Sequence, residues 1–542
     1  MTDHVVLARD LSALADNRFD VLAIGGGIHG LAIAYDAAAR GLAVALVERG
    51  DFGGATSFNH QKTAHGGLRS LQSGDVRRAR ESIVERRTLA RIAPRLMRPL
   101  PFLMGTYRSL MRGRLALRAG FQIDRLLARD RNRDVEQELQ LPRARLVSRA
   151  ATERLFPGIR RNGLTGGAMW YDYQIVETDR LSIGVALAAA SHGAVLANHV
   201  EAIAPLRDGP RVAGARVRDR LAGDEFDVRA RITINAAGAH AGVVMASFGV
   251  RREYPLVKAM NLVTKHRAGD LALAAPTADR RMLTLTPWRG IALVGTSQSA
   301  DFVSPEGDTP TADEVTAFLR DVNEAFPALK LTPEGITLVH RGVVPAERDR
   351  RGKPILKRHV EILDHEREGA PGAMTVIGVK YTTARAVAAR AVDAAARKLG
   401  RKGHSQTARD VLPGASIADH EALAIETEHR LGVSLSEPSR AHIVNIYGAR
   451  CADVIALAAE DRALASPLAP GTPAIGAEVV HAIRNEAARH LDDVLMRRCS
   501  IGSGAWVGDA EVAGAAEIAG RELGWTPEQK QQQITALRKR YD

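Results

Sequence analysis

The first hundred residues alternate short apolar runs with amphipathic segments. Residues 19–24 form a mostly apolar run that predicts a buried β-strand, and a glycine-rich turn follows it directly. Apolar residues then recur at helical spacing from 28 to about 40, and a second apolar run covers 43–48. With a polar lead-in helix over 1–18 and another helix around 76–92, this order predicts a β-α-β unit.

The rest of the chain predicts three further patterns. A helix is expected over 179–192 with Asp179 as its N-cap, followed by alternating strand segments at 194–204, 211–218 and 225–235. Residues 251–365 are typical of antiparallel strands with one helix at 313–325, and a short buried strand at 374–378 precedes a helix at 382–399. From about 410 onward the pattern is wholly helical.

These patterns predict an α/β fold with an added α-helical domain. A chain of 542 residues is too long for one compact core. We expect a lead-in at 1–18 and a Rossmann-like nucleotide-binding domain at 19–250 and 366–400, with a basic helical insertion at about 90–150. An antiparallel-sheet, substrate-covering domain follows at 251–365, and a helical domain at 410–542.

The turn after the first strand has the spacing Gly25-x-Gly27-x-x-Gly30. Its first glycine permits a tight turn, the second lets a pyrophosphate approach the backbone, and the third lets the helix pack on the strand. Glu48 ends the second strand, near the distance at which a ribose-binding acid is expected. Strand, turn, helix, strand and acid in this order predict a dinucleotide site.

Composition and charge narrow the functional classes. Apolar residues make up 45% and charged residues 25% of the chain, as in soluble globular proteins, and no apolar run suggests a secretion signal or a membrane span. Two cysteines, and two histidines five residues apart at 60 and 65, predict no metal site. The net charge is +13, and arginines interleave with apolar residues over about 86–133. This region suits an anionic membrane face, or ordinary amphipathic helices, and no motif indicates nucleic-acid binding.

NAD and FAD share the first turn, and three later segments favour FAD. Small and hydroxyl residues at 54–57 lead through Lys62 to His65 and the pair Gly66-Gly67, which lets backbone lie against a flat ring. A second segment, 235–238, returns a strand end to the same crevice. A third, 378–383, passes from a strand into a helix N-terminus, which favours negative charge on a reduced flavin. The Rossmann-like domain is therefore predicted to bind FAD.

Taken together, these motifs resemble the FAD-dependent glycerol-3-phosphate dehydrogenases, the respiratory, quinone-linked enzymes. The matching stretches include 19–49, 56–57, 62, 65–69, 81–99, 179–181, 235–238, 286–288, 380–385 and much of the helical tail. The resemblance implies oxidation of sn-glycerol 3-phosphate to dihydroxyacetone phosphate by hydride transfer to flavin N5. It further implies that electrons pass to quinone at the cytoplasmic membrane face.

The resemblance also implies a set of cofactor-binding residues. They are Gly25, Gly27, Ile28, Gly30, Glu48, Arg49, Thr56, Ser57, Lys62, Gly66, Gly67, Leu68, Val200, Ala237, Gly238, Gly378, Lys380 and Thr383.

Several matched segments depart from the family pattern around the substrate. The segment Gly-Val-Arg-Pro, whose arginine helps to hold the substrate phosphate, has Val344 at the arginine position. Arg341 is a candidate replacement if the strand bulges, since otherwise its side chain points to the other face. Arg348 or Lys353 on the following loop are the alternatives. Further departures lie at 58–61, 70, 298 and 379, so they bear on the substrate more than on the cofactor.

Three residues are candidates for the chemistry. His65 is the candidate base or hydroxyl orienter, because a neutral imidazole accepts a proton near pH 7; the alternative is a histidine that only bonds flavin or backbone. Arg69 and Lys380 are candidates for binding the anionic group of the substrate. The alternatives are an ion pair of Arg69 with Glu81 or Glu85, and a purely flavin contact for Lys380.

Two other functions fit the same sequence. One is an enzyme of this fold that acts on another polyol phosphate or on a hydroxy acid, as Val344 suggests. The other is a catalytically inactive flavin-binding interaction protein. The expected partners of the leading interpretation are a small polyol phosphate, quinone and an anionic membrane surface, with no nucleic acid, and a homodimer is left open.

Overall fold

The computed structural model describes residues 5–68, 71, 74–108, 113–279, 281–416 and 419–541. Two β-sheets lie beside each other, and a helical C-terminal region packs against both. The strands are β1 (Arg18–Ile24), β2 (Val44–Val47), β3 (Thr63–Ala64), β4 (Met97–Tyr107), β5 (Arg145–Val147), β6 (Leu164–Ile175), β7 (Val195–Ala197), β8 (Val200–Asp208), β9 (Arg211–Asp219), β10 (Glu225–Asn235), β11 (Leu256–Arg267), β12 (Ala272–Pro276), β13 (Met282–Trp288), β14 (Ile291–Gln298), β15 (Ile336–Arg348), β16 (Pro354–Leu356), β17 (Glu361–Asp364) and β18 (Ala373–Ile377).

The helices alternate with strands at first and stand alone after residue 384. They are α1 (Leu11–Asp16), α2 (Ile28–Ala38), α3 (Val76–Ile92), α4 (Arg114–Leu127), α5 (Arg149–Leu155), α6 (Thr178–Ser191), α7 (Ala241–Ser247), α8 (Ala312–Ala325), α9 (Ala384–Lys398), α10 (His420–Leu431), α11 (Glu437–Tyr447), α12 (Cys451–Glu460), α13 (Gly476–Asn485), α14 (Asp509–Leu523) and α15 (Pro527–Arg538). No helix in the described part of the chain combines the length and apolar composition that a bilayer crossing requires.

The first sheet has the strand order β17-β18-β10-β1-β2-β7, and β8 and β9 extend from β10. Strands β18, β10, β1, β2 and β7 run parallel, so their carboxyl ends meet at one edge. Helices α2, α6 and α9 cover one face and bury its apolar side chains. Such an edge, with a glycine turn after β1, is where open α/β sheets bind ligands.

The second sheet has ten strands in the order β16-β15-β11-β14-β13-β12-β4-β6-β3, with β5 on β6, and most of its pairs are antiparallel. Helix α8 covers one face and shares an apolar cluster with β11, β13 and β14. The opposite face approaches the loop that follows β2. The C-terminal helices form a cluster of their own and a second cluster around Trp288.

The structure differs from the sequence-based expectations in several elements. Residues 97–107 and 164–175 pair as β4 and β6 in the second sheet, so part of the expected basic helical insertion is a strand. Among the described residues of that insertion, the long helix is α4. Within the described part of the expected lead-in, from residue 5 to 18, the helix covers Leu11–Asp16. Helix α6 begins at Thr178 after Glu177, which places Asp179 in its first turn rather than at the N-cap. A short 3₁₀ turn, Tyr381–Thr383, precedes α9.

Candidate active site

The glycine turn after β1 has the backbone that a dinucleotide site needs. Gly25 has φ of +107°, a value that L side chains rarely adopt. A Cβ added at Gly30 would lie 1.8 Å from the carbonyl oxygen of Gly25, so only glycine lets α2 pack this closely. Gly27 is the N-cap of α2, and the amide of Ile28 donates to Ser57 Oγ at 3.0 Å. The start of α2 therefore meets the 54–57 loop, and its N-terminal dipole favours an anion.

Glu48 lies beside this turn, at the end of β2. Its carboxylate accepts the amides of Gly26 at 2.6 Å and Gly50 at 2.7 Å, and its carbonyl accepts the amide of Val200 at 2.8 Å. The neighbouring Arg49 is exposed. These contacts bring together the predicted ribose acid, the glycine turn and the start of β8, which is the arrangement that an adenosine group requires.

The segment 235–238 closes the turn from the other side. Strand β10 pairs with β1, and a Cβ at Gly25 would lie 2.7 Å from the carbonyl oxygen of Ala236. The amide of Ala237 donates to Asn235 Oδ1 at 3.2 Å, and Gly238 is exposed with open space around it. The structure thus brings Ala237 and Gly238 to the nucleotide turn.

The third predicted segment, 378–383, which we call the Lys380 turn, meets residues 65–68, which we call the His65 loop, at the same edge. After β18, a Cβ at Gly378 would lie 2.2 Å from the ring of His29 on α2. The amide of His65 donates to Thr382 Oγ1 at 3.2 Å, and Lys380 Nζ donates to the carbonyl of His65 at 3.3 Å. Thr383 is buried at the start of α9. The glycine turn, the His65 loop and the Lys380 turn therefore converge.

A buried carboxylate anchors the His65 loop. Asp172 on β6 accepts the amide of Gly66 at 2.7 Å and an ion pair from Arg86, and its second oxygen lies 3.3 Å from His65 Nδ1. Burial by itself raises the pKa of Asp172, but the bonds from His65 and Arg86 lower it to about 2. These bonds therefore keep the Asp172 carboxylate ionised and fixed in position. Gly67, at φ +81°, continues the same loop and lies against Ala79 of α3.

Lys380 is a partly buried cation in this cluster. Besides the His65 carbonyl, its Nζ donates to Ser82 Oγ at 2.7 Å. Burial lowers its pKa to about 8, although Asp172 nearby raises it. An ammonium group has three donors, so one remains for an anionic ligand. This geometry suits the predicted role of Lys380 in binding an anion.

Lys62 does not fit the predicted cofactor contact. Its side chain is wholly buried, where its ammonium donates to the carbonyl of Phe58 and lies 4.6 Å from the Phe58 ring centre and 5.2 Å from that of Trp288. Burial lowers the pKa of Lys62. Because this group has no exposed surface, it fixes the 58–62 loop on the second sheet instead of reaching a ligand.

Strand alternation decides the position of Arg341. Lys258 on β11 bonds Glu314 of α8, and Lys258 pairs with Val343 on β15. The register of β15 is continuous here, so residues 341 and 343 face α8, whereas 342 and 344 face the other side. Arg341 therefore does not fit the predicted substrate contact, because the bulge that it needs is absent from this stretch.

The opposite face of β15 contacts the 54–57 loop of the nucleotide-binding region, and we call it the cleft face. A Cβ at Gly342 would lie 2.9 Å from Thr56 Oγ1, and Thr56 donates to the carbonyl of Val343 at 3.0 Å. Val344 shares this face and is partly exposed. Arg348 is the last residue of the same strand, not part of the following loop. Its side chain is exposed and pairs with Glu253. Lys353 is exposed between β15 and β16.

Arg69 lies outside the described residues, whereas both carboxylates weighed as its partners lie within them. Glu85 pairs with Arg385 of α9, at 2.8 Å to Nε, and Glu81 pairs with Arg390 at 2.6 Å. Leu68, next to Arg69, is partly buried.

Sequence reasoning missed two sets of residues. Asp172, Arg86 and Ser82 surround the His65 loop, and nothing local in the sequence pairs them with it. A buried ion cluster also joins the C-terminal region to the loop after Glu48: Asp51 accepts Arg497 Nε at 2.6 Å and two bonds from Arg498 at 2.7 and 2.8 Å. The match of the helical tail to the family pattern was the available signal for that cluster.

One histidine and aspartate group in the described chain has metal-like spacing. His199, His490 and Asp493 place donor atoms within 4.8 Å of one another. Asp493, however, already accepts His199 at 2.9 Å, two backbone amides and Arg497 at 2.6 Å. The arginine charges beside it oppose a bound cation, so this cluster is interpreted as structural.

Comparisons with known proteins agree with this geometry. Residues 20–393 match the family model described as FAD dependent oxidoreductase, and residues 405–530 match the C-terminal domain of alpha-glycerophosphate oxidase. The chain is 30% identical to a glycerol-3-phosphate dehydrogenase of Synechocystis sp. over 97% of both chains. It is 35% identical to glycerol-3-phosphate dehydrogenase 1 of Mycobacterium tuberculosis, over 91% of this chain and 93% of that one.

A solved structure shows the same fold. The glycerol-3-phosphate dehydrogenase from Bacillus halodurans, complexed with FAD, superposes with a TM-score of 0.75 at 21% identity, covering 98% of this chain and 96% of that one. The resemblance drawn from the motifs and the expected fold class are confirmed. The chain belongs to the glycerol-3-phosphate dehydrogenase family of FAD-dependent oxidoreductases.

Proposed function

We propose that this chain oxidises sn-glycerol 3-phosphate to dihydroxyacetone phosphate and passes the electrons to quinone. The observation that carries the proposal is the convergence of three separate segments at one sheet edge. The glycine turn, the His65 loop and the Lys380 turn meet through direct hydrogen bonds and close backbone contacts. Relatives named glycerol-3-phosphate dehydrogenase support the same activity.

The residues at the sheet edge fit FAD. The glycine turn admits a pyrophosphate where side chains would collide, and Glu48 supplies a carboxylate beside it. The flavin, when bound, supplies the acceptor for a hydride. The N-terminus of α9, which follows the Lys380 turn, would favour the negative charge of a reduced flavin by ~0.3–1 kcal/mol.

The chain itself handles the proton and the phosphate. His65, with its side chain 41% exposed, accepts the hydroxyl proton of the substrate. Lys380 directs its remaining donor to an anionic group of the substrate. Arg69 is proposed as a second cation on the strength of its motif, since it directly follows Leu68 in the sequence.

A second substrate class is favoured by one observation. Val344 faces the cleft where the family pattern has a phosphate-binding arginine, and Arg341 faces α8. A charge-assisted hydrogen bond contributes ~1.5–3 kcal/mol, so this loss weakens phosphate recognition on β15. Another polyol phosphate or a hydroxy acid is therefore the alternative substrate.

A substrate panel tests the proposal. The FAD-loaded protein is mixed with sn-glycerol 3-phosphate, its enantiomer, other polyol phosphates and hydroxy acids, and reduction of a soluble quinone analogue is followed. We expect sn-glycerol 3-phosphate to have the highest kcat/KM. Equal activity without a phosphate group would support the alternative, and no activity on any compound would support an inactive flavin-binding protein.

We also propose peripheral association with the cytoplasmic membrane face. Helix α4 exposes 74% of Leu126 and 49% of Ile123, and Arg118 and Arg125 are exposed on the same helix. Apolar and cationic side chains together suit an anionic bilayer surface. Co-sedimentation with phosphatidylglycerol vesicles, but not with phosphatidylcholine vesicles, is the expected result, and Leu126→Ser should weaken it.

A further inference from the structure

We infer that Asp172 is a positioning residue that fixes the tautomer and orientation of His65. In this arrangement Asp172 holds a proton on Nδ1 of the imidazole and leaves Nε2 free to accept the proton of the substrate hydroxyl. The inference rests on the proposed function, because it assigns a partner to the base of that reaction.

The position of the carboxylate is the first argument. Asp172 is 4% exposed on β6, and its Oδ1 accepts both the amide of Gly66 and the guanidinium of Arg86. Those two bonds leave Oδ2 turned to His65 Nδ1, at 3.3 Å. Hydrogen bonds of catalytic groups are often this long before substrate binds. The carboxylate is thus held in place by groups other than the histidine.

The charge of the carboxylate is the second argument. A pKa of about 2 keeps Asp172 ionised at any pH at which the protein works, so it is only an acceptor. The atom facing it must then donate, which places the proton of a neutral His65 on Nδ1. The same low pKa makes Asp172 a poor base, and its burial keeps it from the substrate.

The exposure of the His65 side chain makes Nε2 available to a substrate. Its amide and its carbonyl are tied to Thr382 and Lys380, while its side chain remains 41% exposed. Because Nδ1 faces a buried group, the exposed edge is the Nε2 side. Nε2 would take the proton released when the substrate O–H bond breaks, and bound FAD would supply the acceptor for the hydride released from the C–H bond, so that the products are a ketone, an imidazolium and a reduced cofactor. The imidazolium is stabilised by the adjacent carboxylate.

Four charged or titratable groups face His65 from the described elements around it. They are Asp172 of β6, Arg86 of α3, Lys380 of the turn before α9 and His60 of the 58–62 loop. Burial lowers the pKa of His60 well below its usual value, so it stays neutral. Burial lowers the pKa of Lys380 to about 8, so the loss of its charge belongs to the alkaline limb of a pH profile and not to the acid limb.

A double-mutant cycle tests the inference. Asp172→Asn, His65→Gln and the double variant are compared by kcat/KM over a range of pH, with flavin content as the control for folding. We expect Asp172→Asn to lower kcat/KM by roughly 10²–10⁴-fold and to move the acid limb to lower pH, because the imidazolium loses its partner. In the His65→Gln background the same change should cost less than about twofold, since the two residues act as a unit.

A matched variant separates positioning from general damage. Glu85→Gln breaks another buried arginine pair on α3 that does not touch His65, so it should leave the acid limb where it is. Additive effects in the cycle, or an acid limb unmoved by Asp172→Asn, would overturn the inference.

A structural readout keeps the inference independent of the proposed substrate. In protein with ¹⁵N-labelled imidazoles, the His65 signals should show the Nδ1–H tautomer, and Asp172→Asn should shift them towards the Nε2–H form. An Nε2–H tautomer in the unmodified protein would refute the role of Asp172. Failure of sn-glycerol 3-phosphate to reduce the flavin would instead refute the proposed function.

Discussion

The ammonium of Lys380 provides the most quantitative prediction. Two of its three donors are used within the protein, by Ser82 at 2.7 Å and the His65 carbonyl at 3.3 Å. Lys380→Gln therefore removes one charge-assisted hydrogen bond to an anionic substrate. Such a bond contributes ~1.5–3 kcal/mol, which corresponds to a loss in kcat/KM of roughly 10- to 200-fold.

The pH dependence follows from the direction of the pKa shift. Burial lowers the pKa of Lys380 to about 8, so about nine-tenths of it carries a proton at pH 7 and about one-tenth at pH 9. Because kcat/KM reports the free enzyme, it should fall about tenfold per pH unit above pH 8 for a phosphorylated substrate, until it reaches the level of Lys380→Gln. Lys380→Arg retains its charge in this range and should give a flat profile up to about pH 10.

Steady-state kinetics over pH 6–10 with a soluble quinone analogue measures both effects, and flavin absorbance checks that each variant holds its cofactor. Identical alkaline limbs in the unmodified protein and Lys380→Arg would refute the reasoning. A changed flavin spectrum with an unchanged KM in Lys380→Gln would show that Lys380 contacts only the cofactor.

Three further perturbations have defined outcomes. Gly30→Ala should abolish flavin binding, because the new Cβ would lie 1.8 Å from the Gly25 carbonyl oxygen. The control variant Gly120→Ala places a Cβ where no atom lies within 4 Å, so it should keep the yellow colour of bound flavin. Equal flavin content in the two variants would contradict this prediction. Asp51→Asn breaks the buried ion pairs of this carboxylate with Arg497 and Arg498 and should lower the free energy of unfolding, measured in urea, by about 3–5 kcal/mol. A decrease of less than about 1 kcal/mol would show that the ion cluster does not stabilise the fold. Val344→Arg adds a cation on the cleft face of β15 and should raise kcat/KM for a polyol phosphate about tenfold. The kcat/KM for an unphosphorylated alcohol should not rise. An equal gain for both substrates would refute the placement of residue 344 on the cleft face.

Local patterns were enough to predict the nucleotide-binding half of the fold. The β-α-β unit is specified by neighbouring residues, and the helix expected at 76–92 occurs as Val76–Ile92. The arginines that interleave with apolar residues around β4 predict a helical insertion there instead of a strand. Pro99 and Pro101 argue against a helix, and they were the signal that could have corrected it.

The contacts around His65 depend on distant residues. Asp172 lies 107 positions from His65 and reaches it only because β6 pairs with β3 and β4 in the second sheet. Lys62 shows the converse, since its motif indicates a ligand contact whereas tertiary packing buries its ammonium between two aromatic rings. Sequence spacing therefore identifies the loops of the site, and sheet pairing decides which side chains enter it.

Anaerobic mixing of the purified yellow protein with sn-glycerol 3-phosphate tests most directly whether the convergent segments form an oxidising flavin site. The account predicts that the flavin absorbance band disappears, with about one dihydroxyacetone phosphate formed per flavin because each turnover transfers one hydride. A band that persists with saturating substrate, or a protein that is colourless and cannot be reconstituted with FAD, would contradict it.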